Sequence, residues 1–172
     1  GRELGWPLRV LGIDTSLRST GIAVVERDGS RLRALAYETL KVPAKAPHTE
    51  CFRRLCRGLD DMLDACDVQE VSIEGAFFFK NAKTALILGE VRGAAIATCA
   101  KRDLPVFEYA PRRVKQAVVG HGNADKKQVR QMIMQLLGLS EEPQEDAADA
   151  LALAVCHIQS RSGHAALGPQ SI

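Results

Sequence analysis

Four acidic side chains stand apart from the surface charges of this sequence: Asp14, Glu74, Asp146 and Asp149. Asp14 closes the apolar run LRVLGID and Glu74 closes VSIE, so each ends a short buried strand on a carboxylate. Asp146 and Asp149 lie three residues apart in DAADALALAV. On a helix that spacing gives both one face, with Cβ atoms roughly 5–6 Å apart. Carboxylates at the strand ends of an α/β sheet collect at one rim, where ligands bind. Four of them there would repel one another unless cations lay between, and an all-oxygen donor set selects Mg²⁺ or Mn²⁺ over zinc. Each acid taken singly has an ordinary explanation. Asp14 before Thr-Ser suits an Asx-turn, Asp146 suits the positive end of a helix dipole, and Asp149 suits an exposed helix face. Their combination with a basic partner segment is what favours chemistry.

That segment is residues 80–135, which hold eleven Lys and Arg against four Asp and Glu, although the whole chain of 172 residues carries a net charge of only +2. A basic middle in a near-neutral protein suits a polyanion such as nucleic acid. Hydrophobic residues at 46% and charged residues at 26% fit one globular domain. No apolar run is long enough to cross a membrane and the first residues lack a signal peptide's apolar core, so the expected location is cytoplasmic. Five scattered cysteines without a CxxC pair read as reduced core thiols.

The elements that position these residues follow from periodicity. Strands are expected at 8–14, 21–26 and 32–40, the last two joined by the hairpin dipeptide Asp28-Gly29, which makes an antiparallel meander. Apolar residues at three- and four-residue steps predict a helix over 49–66, with Thr49 as its N-cap. A strand at 71–74, a helix at 81–102, a strand at 105–109 and helices at 111–118, 125–137 and 143–159 complete the order. Leu151, Leu153 and Val155 form the stripe that docks the last helix on the sheet. The helix at 81–102 carries Ala85, Gly89, Gly93 and Ala97 on one side, a flat strip suited to close approach by another helix, within the core or across a dimer. His157 reads as a helix-end histidine. One domain over 1–172 is expected, with disordered tails at 1–7 and 160–172.

The stretches LGIDTSLRSTGIAVVE, VSIEGAFFFKNAKTALILGEVRGAA, LPVFEYAPRRVKQAVVGHGNADKKQV and DAADALALAVCH resemble, in order and spacing, the successive motifs of the RuvC family of crossover (Holliday) junction endodeoxyribonucleases. The resemblance implies an α/β, ribonuclease H-like fold: a mixed five-stranded sheet, antiparallel meander then parallel strands, flanked by helices. It implies a structure-selective endonuclease that resolves four-way junctions by paired symmetric nicks in DNA recombination and repair. By the same resemblance Asp14, Glu74, Asp146 and Asp149 are the catalytic and metal-binding acids. Lys115 and Lys126 are the basic residues near the scissile phosphate, and Phe77 is the aromatic that wedges against bases. Lys80, Arg112, Arg113 and Lys127, from the basic segment, are assigned to DNA contact. The implied partners are four-way junction DNA, a second copy in a homodimer, and a branch-migration helicase complex.

Two Mg²⁺ ions about 3.5–4 Å apart, for which Mn²⁺ can substitute, would suit in-line hydrolysis of a phosphodiester, with Asp14 bridging them. One departure is local: the family reads Asp-Pro-Gly after the first strand, and this chain reads Asp14-Thr15-Ser16. A glycine there permits positive φ, which Ser16 tolerates poorly. Three rival readings stand beside this one, the first a non-catalytic junction-binding protein, which the presence of all four acids disfavours. A ribonuclease H-like nuclease could cut structured RNA with the same acids. GIDTSLRSTGIAVV also resembles the phosphate hairpin of actin- and sugar-kinase-like ATPases, although no second Gly-rich phosphate loop follows it.

Overall fold

The computed structural model describes residues 7–75, 80–161 and 171–172. Three antiparallel strands, β1 (Leu8–Asp14), β2 (Ser19–Asp28) and β3 (Arg31–Lys41), lead into α1 (His48–Ala65). There follow β4 (Glu70–Glu74), α2 (Ala82–Ala100), β5 (Val106–Tyr109), α3 (Pro111–Val119), α4 (Lys126–Leu137) and α5 (Glu145–Arg161). The sheet order is β3-β2-β1-β4-β5, with β1 and β4, and β4 and β5, parallel. This is the expected meander followed by parallel strands.

Alternation along β1 divides the core in two. Val10 faces a cluster built with α3, α4 and α5, while Leu11 and Ile13 face a cluster built with α1 and α2. Helices thus cover both faces of the central strands, and the apolar runs of β1 and β4 are what burial on both faces requires. Because β1 and β4 run parallel at the centre, Asp14 and Glu74 emerge at the same end of the sheet.

Several local expectations change. Thr49 is not the cap of α1: the helix begins at His48 behind Pro47, whose extended backbone (φ −66°, ψ 157°) makes the boundary without a side-chain cap. The last helix starts and ends two residues later than expected, so Ser160 and Arg161 belong to α5 rather than to a tail. Ser171 bridges Phe107, and the Ile172 amide donates to the Val106 carbonyl at 2.8 Å, so the last two residues extend the β5 edge. Burial of α5 is not confined to one stripe, since every residue from Ala150 to Ile158 is buried between sheet, α3 and α4. His157 is accordingly no solvated helix end. It is fully buried, with Nδ1 2.6 Å from the Tyr109 hydroxyl, Nε2 2.8 Å from Glu70 and its ring stacked on Phe107. All five cysteines are free thiols, and burial pushes those of Cys99 and Cys156 up to about 12. Among the described residues no helix is long and apolar enough to cross a membrane.

Candidate active site

The acids meet because α5 lies almost in contact with the β1–β2 backbone. A Cβ added at Gly12 would overlap the Ala150 carbonyl, and one at Gly21 would overlap the Asp146 carbonyl. Glycine at both positions lets α5 settle on the strands, and this brings its first turns over the end of β1. Asp14, Asp146 and Asp149 then each offer a carboxylate oxygen within 4.8 Å of the others. Asp146 also accepts a hydrogen bond from the Ser19 hydroxyl at 2.5 Å, which fixes its rotamer. Glu74 stands outside that tight group but lines the same cleft, of about 380 Å³, with Lys115, Lys126 and Arg130 opposite.

Electrostatics in the cleft reflect crowding. Burial first, then the neighbouring charges of Asp149, Glu74 and Asp146, push the Asp14 carboxyl up to about 8. Asp149 is raised by burial against the opposing pull of Lys126, and its hydrogen bond with Asp14 favours the proton on Asp14. Glu74 is raised by burial and by Asp149, against Lys126 and Arg92. Carboxylates held this close are poorly tolerated as bare anions, and a divalent cation bound by their oxygens relieves the conflict. The donor set is entirely oxygen, so the residues present fit Mg²⁺ or Mn²⁺.

The basic residues divide into groups. Lys126 begins α4, whose start is fixed by a capping box between Asp125 and Gln128, and its ammonium meets Glu145 at 2.9 Å. That hydrogen bond, with the charge of Asp149, raises its pKa. Lys115 faces the cleft from α3. Lys80, Arg112 and Lys127 are exposed and outside the cleft lining, with the side chain of Arg112 lying over Gly122. Arg113 is not brought to the cleft; its guanidinium donates to the Ser160 hydroxyl at 3.4 Å, in the last turn of α5. Phe77 lies outside the described residues.

Two supports escape a reading of the sequence. Arg92, on α2, donates to the backbone carbonyl of Glu74 and to the Glu108 carboxylate at 3.0 Å, which holds the chain where it leaves β4. The buried Ser72 hydroxyl donates to the Leu153 carbonyl at 2.7 Å and joins β4 to α5 below the acids. Only the third dimension brings these partners together. The Thr15-Ser16 departure resolves simply. Among the described residues the one non-glycine with positive φ is Asp103, so this turn needs no glycine. Thr20 closes it instead, its hydroxyl donating to the Ser16 carbonyl at 2.6 Å.

Over most of its length the chain is similar to one family of proteins. The family model described as "Crossover junction endodeoxyribonuclease RuvC" matches residues 10–157. A protein of that name from Halorhodospira halophila is 47% identical over 154 residues, 90% of this chain and 92% of the relative. One from Chloroflexus aggregans is 44% identical, over 87% of this chain and 92% of its own length. The solved structure of Thermus thermophilus RuvC in complex with Holliday junction substrate superposes with a TM-score of 0.88 at 32% identity, covering 96% of this chain and 99% of that one. The fold is therefore ribonuclease H-like, as the motifs implied. From acids to helices and over nearly its whole length, this chain belongs to the RuvC family of crossover junction endodeoxyribonucleases.

Proposed function

We propose that this protein cuts four-way DNA junctions by metal-dependent phosphodiester hydrolysis, nicking two strands symmetrically as a homodimer. The observation that carries the reading is the trio Asp14, Asp146 and Asp149 in mutual reach beside Lys115 and Lys126, in a chain of this family. Asp14, Asp146 and Asp149, with Glu74 beside them, would hold two Mg²⁺ ions, which supply an activated water and a counter-charge for the departing 3′-oxygen. Ser19 holds Asp146 in place, and Arg92 holds the Glu74 backbone. Lys126, its ammonium favoured by Glu145 and Asp149, presents positive charge to the phosphate, and Lys115 does so from the other wall of the cleft. Lys80, Arg112 and Lys127 extend positive charge outward for the flanking strands, and Phe77 supplies an apolar wedge at the crossover.

The second copy would dock on α2. Leu86 is 69% exposed there, and among the described residues a Cβ on Gly89 or Gly93 would meet nothing within 4 Å, so the small-residue strip is open in the single chain. A two-fold axis through such strips presents two identical clefts to a two-fold substrate. A branch-migration helicase complex is the partner expected to deliver the junction.

The test is a cleavage panel of four-way DNA junction, linear duplex and structured RNA. Mg²⁺ or Mn²⁺ should support cutting of the junction alone, and Ca²⁺ should support binding without turnover. Full activity after removal of metal with EDTA, or preference for structured RNA, would overturn the reading.

A further inference from the structure

A second zone of positive charge flanks the acids on the side away from α3 and α4. Residues 41–57 contain Lys41, Lys45, Arg53, Arg54 and Arg57 against the single acid Glu50, and all five cations are exposed. Their placement follows from strand register. Asp14 pairs with Gly21, Gly21 with Thr39, and Lys41 lies two residues beyond Thr39, opposite Ser19. Two strand spacings sideways and two residues outward put the Lys41 backbone about 12 Å from that of Asp14, past the rim on the catalytic end. The corner is also tied to the turn behind Asp14. Arg18 donates to the carbonyls of Pro43 and Ala46 at 2.7 and 2.9 Å, and the Val42 amide donates to the Arg18 carbonyl at 3.0 Å. From there α1 carries its arginines down the flank, Arg57 about 14 Å below His48.

Helix stability accounts for only part of this pattern. Glu50 suits the first turn and pairs with Arg53 and Arg54, but Arg57, past the middle of α1, has no such pairing among the described residues, and Asp64 stands in the last turn against the helix dipole. Asp60 and Asp64 are engaged by Arg102, at the end remote from the rim. Glu50 pairs with both Arg53 and Arg54, which leaves that trio net positive, and Glu38 is the exposed acid nearby on β3. The acids therefore lie between two basic zones, Lys115 and Lys126 on one side and this corner on the other. A strand crossing the cleft must leave it on both sides, and duplex phosphates recur every 3.4 Å along each strand.

We propose that the β3–α1 corner, through Lys41, Lys45, Arg53, Arg54 and Arg57, is a docking track for the phosphate backbone of the duplex flank leaving the cleft. It rests on the reading of the protein as a DNA nuclease, and it adds an anchor point roughly four to eight base pairs from the scissile phosphate.

The experiment pairs a protein change with a DNA change. Lys41→Gln, Lys45→Gln and Arg57→Gln are combined, and Arg31→Gln, exposed at the far end of β3, serves as the charge-loss control. Binding is measured in Ca²⁺ over a salt series, on a four-way junction and a linear duplex. Each is made with normal phosphates or with neutral methylphosphonates at four to eight base pairs; thermal melting verifies the fold. The triple variant should bind the junction about tenfold more weakly, with a salt slope reduced by roughly 0.9 for each phosphate that is no longer neutralised. Methylphosphonates should weaken the wild type and the Arg31 variant but not the triple variant. Equal weakening of all three, or a triple variant with wild-type affinity and slope, would overturn the proposal and leave the corner to an acidic protein partner or to none. A wild type that ignores the junction yet binds linear duplex through this corner would overturn the junction reading while upholding this one.

Discussion

Asp14 concentrates the electrostatic conflict of the site. Its carboxyl is held up at about 8, against an ordinary value of 3.8, chiefly by burial and next by Asp149. An acid whose folded pKa exceeds its unfolded one binds its proton more tightly in the native state, so its contribution to stability falls as pH rises between those two values. Melting of the metal-free protein should therefore shift to lower temperature from about pH 5 to pH 8, and Asp149 and Glu74, also raised, act in the same direction. Asp14→Asn should flatten that dependence and abolish cleavage, while junction binding stays intact or tightens because one repulsive charge is gone. A variant that still cuts near the wild-type rate in Mg²⁺ would remove Asp14 from the metal site. At this scale the sequence is most readable. A carboxylate ending an apolar strand and two aspartates three apart are local patterns, and the fold brings them together. Lys115 and Lys126 also reach the cleft, whereas Arg113 turns to Ser160, because a helix presents only some of its cations to any one side. Counting charge by one contiguous segment misses Lys41 to Arg57, since its neighbours in space come from β1 and β2.

Secondary elements are legible in type and order, and their ends less so. Pro47 rather than Thr49 sets the start of α1 because the boundary is made by backbone conformation and not by a hydroxyl. The closeness of α5 to the sheet cannot be read at all. Gly12 and Gly21 sit in runs that look like ordinary strand, and their need for a bare Cα comes from carbonyls more than 120 residues away in the chain. This gives a sharp test at the level of the element. Gly21→Ala forces the first turn of α5 outward, and overpacking of this kind costs about 1–3 kcal/mol. The protein should fold with a lowered melting temperature yet lose at least about tenfold in single-turnover cleavage, because Asp146 and Asp149 ride on the displaced turn. Unchanged cleavage by a folded Gly21→Ala protein would show that the acids do not depend on this packing. The buried His157–Tyr109–Glu70 link at the opposite end of α5 is equally hidden, since a histidine late in a helix gives no sign of what lies beneath it.

For the whole molecule, the open strip on α2 makes a clean probe of assembly. Because a Cβ at Gly89 or Gly93 would meet nothing within 4 Å among the described residues, Gly93→Leu should be tolerated by the single chain. It should yield a folded monomer by sedimentation, with weak junction binding and uncoupled nicks. A dimer that still nicks both strands in concert would place the interface elsewhere. The continuous burial of Ala150 to Ile158 in α5 has a different consequence. Residues enclosed on all sides open only when the whole domain does, so the amides of Ala150 to Ile158 should rank among the slowest to exchange with solvent. Two of the acids are thus mounted at the head of a helix whose body has little local freedom, so a substrate should meet a preformed pair of carboxylates rather than fold them into place.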